Sequence, residues 1–273
     1  MRYGTFLRIK DGDDFEAAFK RLSDAGFDCC HLVYKPESYT KEAAEKILSA
    51  ADKSGVAIAA LFAGFKDSAT KWNISTDYLD AGINSKEYGK ERIEYLKEAA
   101  CFCKEIGVKN MLIHAGFVAN NPYSEEYKYM LSLVKELSVY FKERGVNLVL
   151  ETGGESPVTL LRLIKEAGVG NIYANIDTAN MIMYGYGNPV DAICTLGGHI
   201  MSYHIKDGNP PTDPYELGKE SYFGEGSVDF DRVFAGIKAS GFDGDVIIEL
   251  EIYEDCRWDK VCETLSKVKE ALA

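Results

Sequence analysis

The sequence predicts a parallel (β/α)8 barrel, a TIM barrel, with residues 1–273 as one domain. Three observations lead there. Eight short apolar runs are spread along the whole chain. A stretch with apolar residues spaced i, i+3, i+4 follows each run. A glycine closes several of these stretches just before the next run begins.

YGTFLRI (3–9) is the first run, and it leads into DDFEAAFKRLSDA (13–25). That stretch opens on acids, which favour a helix N-terminus, and stops at Gly26. FDCCHLVY (27–34) is followed by a helix over 41–54 that stops at Gly55. VAIAALF (56–62) is the third run, and after a long connection a helix over 90–106 stops at Gly107. NMLIHAG (110–116) precedes a helix over 125–144 that stops at Gly145. NLVLE (147–151), IYANID (172–177), IMSYHIK (200–206) and DVIIELEI (245–252) complete the eight. Several runs are continuously apolar, as strands buried on both faces must be. A doubly wound open sheet is the structural rival, but the first run leads into IKDGDDF, with no GxGxxG phosphate loop. Two connections, 63–82 and 207–228, are long and follow strands. In a barrel that places them on the C-terminal face, where active sites form.

The formal net charge of −12 argues against nucleic-acid or anionic-membrane partners, both of which need a basic surface. Seven cysteines, an odd number with no CxxC pair, fit a reducing, cytoplasmic setting better than a disulfide framework or a structural zinc site. The first residues lack the apolar core of a signal peptide, and no apolar run approaches the ~20 residues of a membrane span.

Four chemically capable side chains stand at equivalent points of successive repeats. Glu151 ends the fifth run, Asp177 ends the sixth, His204 lies near the end of the seventh, and Glu249 lies in the eighth. A carboxylate closing a buried strand needs a partner, because an unpaired buried charge is costly. Equivalent strand ends converge on the barrel axis, so the four can share one divalent cation. Three oxygen donors and one imidazole suit Mn²⁺, Mg²⁺, Co²⁺ or Zn²⁺. Glu251 has the same strand parity as Glu249 and is the alternative fourth ligand.

At these residues the chain resembles the xylose isomerase-like barrel superfamily of sugar isomerases, epimerases and AP endonucleases. The matching motifs are LVLET (148–152), NIDTAN (175–180), HIKDG (204–208), GEGSVDF (224–230) and GFDGDVIIE (241–249), in order through the C-terminal half. LIHAG (112–116) is the match in the N-terminal half. The last of the C-terminal motifs favours Glu249 over Glu251. The resemblance implies that Glu151, Asp177, His204 and Glu249 hold one divalent metal and that Glu151 and Glu249 act as acid and base. It implies a sugar or sugar phosphate as substrate, isomerised or epimerised by proton transfer through a metal-stabilised enediolate. An inosose-type dehydratase on the same site and a non-catalytic sugar-binding barrel are the alternatives. The AP endonuclease branch, with its histidine-rich zinc cluster, fits poorly a chain with four histidines and strong acidity. Two positions depart from the pattern. Asn180 stands where many members carry histidine, and Pro210 where the ketose 3-epimerases carry arginine.

Further residues are expected around the substrate. His114 ends the fourth strand, Lys206 shares the face of His204, Glu155 follows Glu151 in TGGE, and Asn180 can bond a sugar hydroxyl. Asp207 is expected to orient a ligand. Phe62, Phe65, Trp72, Phe117 and Tyr184 lie in or near loops of the same face, where each packs the loop itself or offers apolar surface to a sugar. The sequence leaves a homo-oligomer open.

Overall fold

The computed structural model describes residues 1–35, 39–65, 81–252 and 254–273. The eight runs become the strands of one closed, all-parallel barrel. In chain order they are β1 (Arg2–Arg8), β2 (Cys29–Val33), β3 (Ala57–Phe62), β4 (Asn110–Ile113), β5 (Asn147–Glu151), β6 (Ile172–Asp177) and β7 (Ile200–Ile205), followed after a hairpin by β10 (Asp245–Ile248). Each strand pairs with its neighbour in this order, and β10 closes on β1. The first five repeats place α1 (Phe15–Asp24), α2 (Lys41–Ser54), α3 (Gly89–Glu105), α4 (Glu125–Lys142) and α5 (Pro157–Ala167) outside the barrel. The rest add α6 (Asn180–Tyr184), α7 (Pro189–Leu196), α8 (Phe230–Ala239) and α9 (Arg257–Leu272).

Local chemistry starts and stops these helices where the sequence marks them. Asp14, Thr40, Ser124, Ser156, Asn188 and Asp229 each accept a backbone N–H of the first turn, a cap worth about 1 kcal/mol. Pro157 and Pro189 sit in first turns, where the missing N–H is harmless. Gly55 ends α2 with φ 73°, a left-handed conformation that glycine adopts without strain, and the chain turns directly into β3.

Strand parity separates two cores. On β5, Leu148 and Leu150 pack outward beneath the helices, while Val149 packs inward with Leu112 and Ala60. Phe6, Cys29, Ala59 and Ile247 fill a second inward cluster. The inward face therefore continues from Val149 to Glu151, from Asn175 to Asp177 and from Ser202 to His204, with all six side chains buried. The apolar interior ends in a polar layer at the C-terminal ends of the strands.

The 207–228 connection, expected as a loop, contains an antiparallel hairpin of β8 (Asp207–Asn209) and β9 (Lys219–Ser221). Asp207 fastens it. Its Oδ1 accepts from the amides of Gly208 (2.8 Å) and Val228 (3.2 Å), and its Oδ2 from those of Gly224 (2.8 Å) and Gly226 (2.9 Å). A Cβ on Gly226 would lie 2.2 Å from Asp207 Oδ1, so only glycine lets the backbone approach this closely. No helix among the described residues is long and apolar enough to cross a membrane.

Candidate metal centre

Glu151 and Asp177 are the last residues of β5 and β6, His204 is the penultimate residue of β7, and Glu249 directly follows β10. Register sets them side by side: Glu151 pairs with Asn175, Asp177 with His204, and His204 with Ile247. A threonine directly after Glu151 and another directly after Asp177 lace the strand ends together. Thr152 Oγ1 accepts the Asp177 amide at 3.0 Å, and Thr178 Oγ1 accepts the Lys206 amide at 3.0 Å while donating to the Lys206 carbonyl at 2.5 Å. Asp177 is further fixed by the amides of Ala179 and Asn180, each 2.8 Å from its Oδ1.

Each of the four residues offers one donor atom, and these atoms all lie within 4.8 Å of one another. All four side chains are buried. His204 Nδ1 is 3.0 Å from Glu151 Oε1 and 2.9 Å from Glu249 Oε2, although one ring nitrogen carries at most one proton. Asp177 Oδ2 and Glu249 Oε2 are buried acceptors without a hydrogen bond in the described structure. Leaving such an acceptor unsatisfied costs about 1–3 kcal/mol, and more when it is charged. A divalent cation among the four donor atoms satisfies these demands together, so the residues present fit one. Glu251 stands outside this group: its side chain is 49% exposed and its carboxylate pairs with Lys206.

Lys206 is the cation at the centre of this acidic cluster. Its Nζ lies 2.5 Å from Glu251, 3.7 Å from Glu249 and 3.9 Å from Asp177. Burial works to lower its pKa, but the surrounding carboxylates outweigh burial and hold it well above the usual lysine range. Burial pushes the Asp177 carboxyl well above its ordinary range and raises Glu151, with Lys206 and His204 opposing. Glu249 goes the other way: burial works to raise it, but the charges of Lys206 and His204 hold it well below the usual carboxylate range. His204 is pushed up to about 10 by Glu249 and Glu151, against burial. The two carboxylates thus favour the protonated imidazole. Glu220 of β9 accepts the Glu251 amide at 2.8 Å, and burial raises its own pKa to about 7. The hairpin thus docks onto the rim of the site.

An open cavity of about 460 Å³ lies above the cluster. Glu151, Glu249, Lys206, His114 and Asn180 line its polar side, and Phe62, Phe65, Met183, Tyr184 and Leu217 its apolar side. Burial lowers the His114 pKa to about 4, so this imidazole is neutral. Asn180 Nδ2 lies 3.4 Å from Glu151 Oε1. Phe117 stands behind Tyr184, with ring centroids 5.5 Å apart. Trp72 lies outside the described residues. Glu155 is buried but is not part of the cavity wall. Its Oε1 has no hydrogen-bond partner in the described structure, and burial raises its pKa to about 8. Asp207, expected beside a ligand, spends its four hydrogen bonds on hairpin and loop amides. Sequence reasoning passed over His31, whose Nδ1 is 3.0 Å from His204 Nε2. Its inward parity on β2 was the available signal, but no spacing to another ligand marked it.

Residues 6–271 match the family described as xylose isomerase-like TIM barrel. A xylose isomerase domain protein from Planctomyces limnophilus has the same fold, with a TM-score of 0.86, 24% identity and coverage of 99% of this chain and 96% of the other. D-psicose 3-epimerase from Clostridium cellulolyticum H10, solved with D-tagatose, has a TM-score of 0.72 at 12% identity, covering 100% and 99% of the two chains. L-ribulose-5-phosphate 3-epimerase UlaE of Shigella flexneri serotype 5b is 37% identical over 73 residues, or 23% of this chain and 24% of that one.

Proposed function

The chain belongs to the xylose isomerase-like TIM-barrel family, and on that premise we propose that it is a divalent-metal-dependent isomerase or epimerase of a sugar or sugar phosphate. The observation that carries this reading is the convergence of Glu151, Asp177, His204 and Glu249 within 4.8 Å at the floor of an open cavity. A divalent ion held by these four supplies Lewis acidity toward the carbonyl and neighbouring hydroxyl oxygens of a ketose. Glu151 and Glu249 both line the cavity, so each has access to a substrate carbon. One of these carboxylates takes the proton next to the carbonyl, and the other returns a proton. Return to the same carbon from the opposite face inverts it, and return to the adjacent carbon isomerises the sugar. Lys206 lines the same cavity and can offer its ammonium to the oxygen on which negative charge grows, and His114 and Asn180 can offer hydrogen bonds to hydroxyls. The wall of Phe62, Phe65, Met183, Tyr184 and Leu217 suits the carbon face of a sugar. The names of the relatives, a psicose and a ribulose-5-phosphate 3-epimerase, support a ketose. All seven cysteines are free thiols, which supports a cytoplasmic enzyme.

Solvent deuterium exchange into a panel of ketoses and ketose phosphates, with Mn²⁺ added, tests the reading. We expect exchange next to the carbonyl, reduced about 10²–10⁴-fold in Glu151→Gln. Metal-loaded protein that exchanges no ketose proton overturns the proposal, and full exchange in Glu151→Gln removes that residue from proton transfer.

A further inference from the structure

His31 belongs to no predicted ligand set, yet it lies within hydrogen-bond distance of a member of one, His204. It sits on β2, paired in register with Phe6 of β1, and reaches across the barrel interior to β7. Its Nδ1 is 3.0 Å from His204 Nε2, and both side chains are almost wholly buried. The Phe6 ring is edge-on to both imidazoles, at 5.7 Å from His31 and 5.1 Å from His204. The pair is therefore shielded from water, and its one hydrogen bond has a direction that matters.

Only one direction leaves His204 able to serve a cation. If His31 donated to Nε2, a neutral His204 would carry its proton on Nδ1, the atom that faces Glu151 and Glu249. A protonated ring nitrogen has no lone pair to give. If His204 donates from Nε2, its Nδ1 is available to the cation whenever the imidazole is neutral, and His31 must be the acceptor. A cation then replaces the Nδ1 proton without disturbing the bond on the far side of the ring.

We propose that His31 is a positioning residue for His204: neutral and protonated on Nε2, it accepts the Nε2–H of His204 at its own Nδ1 and thereby keeps His204 Nδ1 turned to the cation. The inference rests on the reading of the four residues as a metal centre. It adds an outer partner that fixes both the tautomer and the ring orientation of the single nitrogen ligand.

Two measurements test it. Two-bond ¹H–¹⁵N correlation spectra of the wild-type protein, metal-free and zinc-loaded, report which imidazole nitrogens carry protons. His31 should show a bare Nδ1 in both forms, with only His204 Nδ1 responding to zinc; a proton on His31 Nδ1 overturns the proposal. Calorimetric titration with Mn²⁺ gives the second readout. His31→Leu should weaken binding about 10–100-fold, whereas His31→Asn, whose carbonyl oxygen restores an acceptor near the Nδ1 position, should recover most of the loss. Wild-type affinity in His31→Leu, or no recovery in His31→Asn, overturns the positioning role alone. Wild-type protein that takes up no Mn²⁺ overturns the metal centre and this inference with it.

Discussion

Replacing Glu155 by glutamine should stabilise the protein, and more so as pH rises. The carboxyl is buried, its Oε1 has no hydrogen-bond partner in the described structure, and its pKa stands at about 8 against an ordinary 4.5. A folded-state pKa above the unfolded one means that the folded chain holds the extra proton between those two values. The stability this group contributes is fully present below pH 4.5 and is lost as pH rises through about 8. One group in this window tilts stability by about 1.4 kcal/mol per pH unit, or about 3 kcal/mol between pH 5 and pH 7. Glutamine keeps the shape and has no proton to lose, so Glu155→Gln should gain about that much on wild type over the same interval. For a chain of this size the gain corresponds to roughly 5–10 °C in the melting midpoint. Paired thermal melts at pH 5 and pH 7, with chelator present so that cation uptake adds no pH dependence of its own, measure the difference. A gap between variant and wild type that is the same at both pH values refutes the reasoning.

Lys206→Met should lower the ketose exchange rate by about 100-fold or more while calorimetry still shows Mn²⁺ binding. Lysine is not a ligand here, and its removal takes away a competing charge; an unchanged exchange rate would show that Lys206 only balances carboxylates. Asp207→Ala strands four backbone amides and should cost about 3 kcal/mol, read as faster hydrogen exchange confined to 208–228. Unaltered exchange there would mean that the hairpin is held by other contacts. Mn²⁺ at 100 times its dissociation constant should stabilise the protein by about 2.7 kcal/mol, and a chelator should reverse the shift in melting midpoint. A midpoint indifferent to both would count against a native-state metal site.

The barrel and the convergence of the four residues were legible because they rest on simple periodicities. NLVLE and IYANID became β5 and β6 with the bounds read from the sequence, and their parity carried Glu151 and Asp177 inward. The choice between Glu249 and Glu251 was not settled by parity, which they share. Burial separates them, since β10 ends at Ile248, Glu249 is buried and Glu251 lies at the exposed rim. The β8–β9 hairpin left no pattern, because its strands are only three residues long and carry no apolar side chain. Asp207 looked like a ligand's neighbour because it follows HIK, yet its role depends on amides as far away as Val228. The partner of His31 was hidden for the same reason: parity turns His31 inward, but His204 is 173 residues away, and only barrel closure brings the two rings together.

The threonine lacing at Thr152 and Thr178 locks β5, β6 and β7 to one another at the level of the ligands. Side chains alternate between the two faces of a strand, so a slip of one residue would turn Asp177 or His204 out of the barrel. The four donors can meet only when the strands have closed in their native alignment. Under the metal-centre reading, cation affinity is therefore also a gauge of correct assembly. In a refolding experiment, tight uptake should emerge with barrel closure, later than the helices and strands themselves.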